Sequence, residues 1–261
     1  MVILLLYVDD IIITGSATDG IQQFISALRK EFDIKDLGYL HFFLGIQITK
    51  TKAGLFLSQE KYIQDLLKKT EMFDSKAAAT SCLPYSRLLK DDGQPYNNPS
   101  LYRSIVGALQ YLVFTRPDIA FSVHQVSQFM QAPMESHFTA VKHILRYLKG
   151  SLSTGITYTK GEMVLKSFSD ADWAGDPNDR RFTTCLVMFL GNNPISWSSK
   201  KQHTISRSST KAEYRALSST AAELDWIQQI LHFLKIKLQD TPVLFCDNMS
   251  AIALSFNPVQ H

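Results

Sequence analysis

Two apolar runs open the chain and predict paired β-strands. Residues 2–8 and 11–14 are rich in Leu, Ile and Val, and they are divided by Asp9-Asp10 and closed by Gly15-Ser16. Strand-forming runs of this length joined by a two-residue break are typical of a hairpin, and their apolar character predicts that the hairpin is buried in a sheet.

The spacing of apolar residues then changes to that of a helix. Thr18 or Asp19 is placed to cap it, and its apolar face would consist of Ile21, Phe24, Ile25, Leu28 and Phe32. Residues 39–49 and 55–58 predict two further strands around the turn at Ala53-Gly54. Ser58 is placed to cap a second helix, whose apolar face would be Tyr62, Ile63, Leu66 and Leu67.

Between residues 75 and 100 the pattern gives way to small and polar residues with several Pro and Gly, which predicts a linker. Three helices should follow, at residues 101–114, 117–131 and 136–149. Pro117 suits the first turn of the second helix, and Gly150 suits the end of the third. These helices would form a connecting region.

The last third alternates between strand-like and helical runs. Strands are predicted at residues 164–170, 183–190, 195–199 and 243–247, and a long helix is predicted at 209–234, with a short helix from Met249. Three consecutive strands, a helix and another strand indicate an antiparallel meander extended by a crossover to a parallel strand. The predicted fold class is α/β, with mixed α+β character throughout.

Composition limits the size and class of the protein but does not indicate a function. The 261 residues are 45% hydrophobic, enough for at least one full core and for two modest domains. A net charge of +3 permits a polyanionic partner without indicating one. Three widely spaced cysteines suggest neither disulfides nor a zinc motif and fit a reducing compartment. No secretory, targeting or membrane-spanning segment is predicted, which argues against secretion but does not choose between cytoplasm and nucleus.

Three carboxylates occupy positions suited to chemistry. Asp170 ends the first strand of the last third, Glu213 lies one turn into the long helix, and Asp247 ends the fourth strand. Strand ends and a facing helix can bring such groups together, and a divalent cation is the usual reason for tolerating the repulsion. Two Mg²⁺ (or Mn²⁺) ions there could activate water and stabilise the leaving oxygen of a phosphodiester.

A structural reading of the same acids stays open. Thr210 to Glu213 fits the capping-box pattern, so Glu213 could simply satisfy the helix start. Asp247 and Asn248 could cap the last helix, and Asp170 could belong to a solvated loop edge with Asp172 and Asp176.

Asp9 and Asp10 raise a similar question. Adjacent acids between apolar strands make a poor hairpin turn, where Asn-Gly or Asp-Gly is expected. A buried acid pair would call for a cation, but neighbouring strand residues point in opposite directions, so an unusual turn remains the alternative.

Four runs in the last third resemble the RNase H domain of copia-type LTR retrotransposons. They are SDADWAGD at 169–176, ISWSSKKQ at 195–202, SSTKAEYRAL at 208–217 and CDNMSAI at 246–252. That resemblance implies cleavage of the RNA strand of RNA–DNA hybrids with two magnesium ions held by four acids. Three of the acids map onto Asp170, Glu213 and Asp247, and the fourth is expected beyond His261.

The first half resembles the reverse transcriptase of the same elements. The run LLLYVDDIIITG at 4–15 is similar to the active-site hairpin, which implies that Asp9 and Asp10 are catalytic metal ligands. DLGYLHFFLGIQI at 36–48 is similar to the primer grip, and YRSIVGALQYL at 102–112 with TRPDI at 115–119 is similar to the connection region. The implied domains are a partial palm, primer grip and thumb start at 1–75, a linker and helical connection at 76–155, and a C-terminally incomplete RNase H-like domain at 156–261.

The resemblance also implies what such a fragment would lack. A third polymerase acid and the nucleotide-binding fingers are expected upstream of Met1, so no polymerase activity is predicted for the chain alone. Lys211 and RRFTTC at 180–185 depart from the family pattern without removing a mapped ligand. Three hypotheses follow: a metal-dependent RNase H, a catalytically dead relic that at most binds nucleic acid, and an unrelated α/β domain whose acids are caps.

Nucleic-acid contacts should come from basic residues near the predicted site. The candidates for binding the phosphates of an RNA–DNA hybrid are Lys200, Lys201, Arg207 and Arg215. The alternative is that these side chains are merely solvated, as charged residues on protein surfaces usually are. The remaining expected partner is the rest of the Pol polyprotein of the parent element.

Overall fold

The computed structural model describes residues 1–83 and 87–257, so part of the predicted linker, residues 84–86, lies outside the described residues. Helices and sheets alternate along the chain, which confirms the predicted mixture of α and β structure. The chain divides into two compact units, Met1–Thr49 and Lys50–His261. Within the described part of the chain, every helix is too short or too polar to cross a bilayer.

The first unit opens with the predicted hairpin. Strand β1 (Val2–Tyr7) pairs antiparallel with β2 (Asp10–Gly15), with Tyr7 opposite Asp10. Helix α1 (Thr18–Glu31) follows, and its N-cap is Ala17 rather than Thr18 or Asp19, with no side-chain cap. Strand β3 (Phe42–Phe43) pairs antiparallel with β4 (Ile46–Lys50).

The prediction that this hairpin is buried is wrong. Leu5 and Leu6 are more than half exposed, and the only strand residues partly covered are Val2, Ile3, Ile12 and Ile13. A two-stranded sheet has two faces to cover, and α1 contains no buried residue. Alternating side chains on a sheet this small therefore stay in contact with solvent.

The second unit begins with a group of helices that lies, along the chain, between two paired strands. Strand β5 (Gly54–Ser58) pairs antiparallel with β6 (Ile156–Thr159). The helices between these strands are α2 (Glu60–Lys69), α3 (Pro99–Leu112), a 3₁₀ turn (Pro117–Ile119), α4 (Ala120–Ser127) and α5 (Glu135–Gly150). Their apolar faces share one core, which includes Ile63, Leu67, Tyr102, Leu109, Ile144 and Leu148.

Several helix boundaries differ from the prediction. The helix predicted at residues 101–114 runs from Pro99 to Leu112. The N-cap of α2 is Gln59, one residue after Ser58. The helix predicted to run to residue 131 ends at Ser127, and its first turn is 3₁₀ rather than α. Helix ends depend on local hydrogen bonds that apolar periodicity does not report.

A buried guanidinium joins the turn after α3 to the end of α5. The Arg116 side chain is fully buried and donates to both carboxylate oxygens of Asp118, with the shortest contact at 2.7 Å. It also donates to the carbonyl oxygen and the hydroxyl of Ser151, and the Tyr147 hydroxyl donates to Asp118. All three guanidinium nitrogens donate hydrogen bonds, and a carboxylate compensates the buried charge.

The last part of the chain forms a four-stranded mixed sheet. Its strands are β7 (Leu165–Asp172), β8 (Thr183–Leu190), β9 (Asn193–Lys201) and β10 (Val243–Phe245), in the order β10-β7-β8-β9. The β7-β8-β9 pairings are antiparallel and β10 is parallel to β7. Helix α6 (Ser209–Phe233) makes the crossover and α7 (Met249–Ser255) follows β10. The predicted meander and crossover are confirmed.

The turn between β8 and β9 is tight, as the sequence GNNP at 191–194 predicts, and β9 begins at Asn193, two residues before the predicted start at residue 195. Only Gly191 and Asn192 lie between the strands, and Gly191 has a φ of 60° and lies against the Glu162 carbonyl, where a Cβ would clash. The register shifts beyond Met188, so that Ile195 bulges from the edge strand β9 next to Pro194. A bulge on an edge strand accommodates a proline that has no N–H to donate.

Small side chains bring α6 close to the sheet. Ala212 and Ala216, one turn apart, pack with Ala171 of β7 and Phe182 in a buried cluster. Further along the helix, Leu224 and Leu231 pack on Leu165 and Met188. The start of α6 is thereby held against the end of β7, which is where the predicted carboxylates lie.

Candidate metal centre

The alternation of side chains along β7 sets the direction of its acids. Ser167, Ser169 and Ala171 are buried on the face that α6 covers, whereas Phe168 and Asp170 are exposed on the other side. Neighbouring strand residues point to opposite faces, so Asp170 stands at the open side of the sheet.

The parallel pairing of β10 with β7 brings Asp247 to the same end of the sheet. Phe245 lies opposite Phe168 in the register, and their rings stack with centroids 5.0 Å apart. Two residues further along each chain are Asp247 and Asp170. The strand predicted to reach residue 247 ends at Phe245, so Asp247 lies in the turn before α7 rather than in the strand itself.

Glu213 approaches from the helix. The hydroxyl of Ser208 caps α6 by accepting a hydrogen bond from the Lys211 N–H at 3.2 Å, so Thr210 and Glu213 do not form the capping box. Glu213 is instead only 6% exposed. Its Oε2 is buried and has no hydrogen-bond partner among the described residues.

Three side chains converge at this point. Glu213, Cys246 and Asp247 each present one possible ligand atom, and these atoms lie within 4.8 Å of one another. Asp247 is free for this arrangement because Asn248, not Asp247, caps α7 by accepting from the Ala251 N–H at 2.9 Å. Asp170 is outside this group of three.

The charges of the cluster act on Glu213. Burial raises the pKa of Glu213, and the negative charges of Asp170 and Asp247 raise it further, against a backbone hydrogen bond from Ala171 that lowers it. Asp170 is therefore near enough for its charge to be felt at Glu213. A carboxylate that is buried beside two others is the arrangement that a cation would relieve.

The other two acids of the first motif have structural contacts. Asp172 accepts a hydrogen bond from the Thr183 N–H, and burial raises its pKa. Asp176 accepts from Lys201 Nζ at 2.6 Å and from the Asn178 N–H at 2.7 Å. Both acids therefore hold the segment after β7 in place through hydrogen bonds. This differs from the alternative in which they belong to a solvated loop edge.

The predicted nucleic-acid contacts divide into two kinds. Lys200 and Arg207 are exposed. Lys201 is only 16% exposed at its side chain because it is paired with Asp176 and Asp179. Arg215 is half-buried and donates to the Thr204 hydroxyl. Lys201 is thus part of an internal ion pair, while Lys200 and Arg207 extend into solvent.

Asp9 and Asp10 lie in the first unit. Val8 and Asp9 form the two-residue turn of the hairpin, with Val8 at a φ of 54°, and Asp10 opens β2. Both acids are exposed. Among residues 1–83 and 87–257 neither belongs to a group of three clustered ligand side chains.

Cys246 is the residue that sequence reasoning missed. Its neighbours in sequence are Phe245 and Asp247, and strand alternation predicts that Cys246 and Asp247 point in opposite directions. The strand ends at Phe245, however, and in the following turn the Cys246 sulfur accepts from the Asn248 N–H at 3.4 Å. The available signal was its adjacency to a predicted ligand.

Comparisons with known proteins identify relatives of this chain. A family model described as reverse transcriptase (RNA-dependent DNA polymerase) matches residues 1–84. A retrovirus-related Pol polyprotein from transposon RE1 of Arabidopsis thaliana is 47% identical over all of this chain, which spans 18% of that relative's length. An uncharacterized mitochondrial protein of the same plant is 49% identical over 85% of this chain and 93% of its own length. A solved foamy viral protease-reverse transcriptase in complex with dsDNA aligns with 98% of this chain and 48% of its own, at 16% identity and a TM-score of 0.46.

Proposed function

The chain belongs to the copia-type retrotransposon Pol polyproteins, and we propose that its last third carries metal-dependent RNase H activity, which hydrolyses the RNA strand of RNA–DNA hybrids. The Pol polyproteins that it matches are much longer, since the chain spans 18% of the length of the RE1 polyprotein. The rest of the Pol polyprotein is accordingly the proposed partner in the parent element.

The observation that carries this proposal is the environment of Glu213. An ordinary helix-start carboxylate would be solvated or would bond to the helix N-terminus, but Ser208 already caps α6. Glu213 is buried beside Asp247 and within the influence of the charge on Asp170, and its Oε2 has no hydrogen-bond partner among residues 1–83 and 87–257. Burying a charged group in this way is unfavourable unless another charge compensates it.

The side chains present fit Mg²⁺ or Mn²⁺ as the compensating charge. Both ions prefer oxygen ligands, and Asp170, Glu213 and Asp247 supply carboxylate oxygens from a strand, a helix and a turn. Such ions, when bound, would activate the attacking water and stabilise the leaving oxygen of the phosphodiester.

The role of each residue follows from its exposure. Glu213 is held by the packing of Ala212 and Ala216 on the sheet, so it would anchor the ions on the protein side. Asp170 and Asp247 are exposed and would complete the ligand set where a phosphate can approach. Lys200 and Arg207, which extend into solvent, would hold the flanking phosphates of the hybrid.

The test is cleavage of a labelled RNA–DNA hybrid by the 261-residue chain in Mg²⁺ or Mn²⁺. We expect cleavage of the RNA strand by the wild type, its loss in Asp170→Asn, and its retention in Asp225→Asn, a carboxylate exposed on the same α6 helix. Equal activity of the wild type and Asp170→Asn would refute the proposal. Hybrid binding without cleavage would favour the alternative of a catalytically dead relic.

For the hairpin acids we propose no polymerase activity by this chain alone. Asp9 and Asp10 are exposed at a turn, and in the described part of the chain no third ligand side chain clusters with them. Positioned acids are what phosphoryl transfer depends on. Extension of a primer on an RNA template that was lost in Asp9→Asn would contradict this.

A further inference from the structure

A thiol lies among the carboxylates of the candidate metal centre. Cys246 offers its sulfur within 4.8 Å of the ligand oxygens of Glu213 and Asp247. It is partly buried and is a free cysteine, and the Asn248 N–H that donates to its sulfur fixes its orientation. A thiol is a poor ligand for Mg²⁺, because this ion prefers oxygen ligands in near-octahedral geometry.

The second observation concerns the burial of Glu213. Glu213 is more than nine-tenths buried, and its Oε2 has no hydrogen-bond partner in the described part of the chain. Its ligand oxygen belongs to the same group as the Cys246 sulfur. A buried carboxylate with one oxygen that lacks a partner among the described residues, next to a thiol and a second carboxylate, is a donor set of mixed hard and soft character.

We propose that Glu213, Cys246 and Asp247 bind a zinc-class ion, such as Zn²⁺, Co²⁺ or Cd²⁺, through one thiolate and two carboxylate oxygens. Cysteine sulfur and carboxylate oxygen bind zinc at about 2.3 Å and about 2.1 Å, which requires ligand atoms roughly 3.5 Å apart. Ligand atoms that lie within 4.8 Å of one another reach this spacing with at most small side-chain movements. The thiol proton leaves to solvent, and water fills the remaining position.

This inference rests on the proposed function in one respect: the zinc-class ion and Mg²⁺ would both bind Glu213 and Asp247. Binding of a zinc-class ion then excludes Mg²⁺ from the same oxygens, so zinc acts as a competitive inhibitor of hybrid cleavage. The two ions differ in one ligand: Cys246 contributes to the zinc-class ion and not to Mg²⁺. The substitution Cys246→Ser, which replaces the sulfur by oxygen, therefore distinguishes binding of the zinc-class ion from binding of Mg²⁺.

The test is titration of the purified chain with Co²⁺, read as the near-ultraviolet sulfur-to-cobalt charge-transfer band, followed by displacement with Zn²⁺. We expect the band in the wild type and in Cys82→Ser, whose exposed thiol lies elsewhere in the chain, and its loss in Cys246→Ser. Affinity for Zn²⁺ should fall at least about tenfold in Cys246→Ser, as the loss of a soft ligand implies.

A measurement on the wild type guards against a misfolded variant. Zn²⁺ should slow alkylation of Cys246 by iodoacetamide, followed residue by residue by mass spectrometry, while Cys82 in the same sample reacts as before. Equal alkylation of Cys246 with and without Zn²⁺, or a charge-transfer band that persists in Cys246→Ser, would overturn the inference.

The outcomes of the two proposals are distinct. A chain that shows the Cys246-dependent band but never cleaves a hybrid upholds the zinc-class site and removes the RNase H proposal. A chain that cleaves the hybrid in Mg²⁺ and shows no band upholds the proposed function and removes the zinc-class site.

Discussion

Replacement of Glu213 by glutamine should stabilise the metal-free protein and abolish its stabilisation by magnesium. The substitution keeps the shape of a side chain that is only 6% exposed, and it removes a negative charge that lies near Asp170 and Asp247. The same change would have little effect on either form if Glu213 were an ordinary helix-start residue.

The magnitude follows from burial. A buried polar atom without a partner costs about 1–3 kcal/mol, and more when it is charged. Allowing for new, imperfect contacts of the glutamine amide, we expect the free energy of unfolding in chelator to rise by about 1 kcal/mol, or about 2–4 °C in Tm for a unit of this size. The wild type should gain about 1.4 kcal/mol from Mg²⁺ at ten times its Kd.

Thermal unfolding of both proteins in EDTA and in Mg²⁺ is the assay. We expect the order of stability to change: Glu213→Gln unfolds at the higher temperature in EDTA, and only the wild type gains from Mg²⁺. Asp225→Asn on the exposed side of α6 serves as the control and should behave as the wild type. The reasoning is refuted if Glu213→Gln is less stable than the wild type in EDTA or responds equally to Mg²⁺.

Two further predictions concern charged side chains away from the cluster. Lys200→Ala should reduce the salt dependence of hybrid binding by about one phosphate contact. Lys201→Ala should leave that dependence unchanged and lower the free energy of unfolding by about 1–2 kcal/mol, because Lys201 is paired with Asp176. Binding curves at several salt concentrations would separate the two variants, and equal salt slopes for both would contradict the assignment. Burial raises the pKa of Asp118, but the hydrogen bonds and charge of Arg116 outweigh it and lower that pKa below its ordinary value of 3.8. The stabilising contribution of the pair is therefore complete above about pH 5 and is lost as the pH falls through 3.8 and below. Urea midpoints measured across this range should fall less steeply with falling pH in Asp118→Asn, and parallel curves for the two proteins would argue against the pair.

Local sequence determined most elements of this protein. The hairpin, the helices of the connecting region, the three-stranded meander and the crossover helix all lie within a few residues of where apolar periodicity predicts them, because that periodicity is a property of neighbouring residues. The direction of Asp170 also follows from alternation along β7. The motif resemblance predicted that Glu213 and Asp247 lie near one another, and their ligand oxygens lie within 4.8 Å.

Other features were decided only by tertiary structure. Cys246 joins the cluster because β10 ends one residue before it, and Lys201 is withdrawn from solvent because Asp176 meets it from another part of the chain. Exposure of the hairpin depends on what covers its faces, which its own residues do not determine. Periodicity reports which face of an element is apolar, but a site or an ion pair depends on groups that are distant in sequence, and their meeting is set by the packing of whole elements.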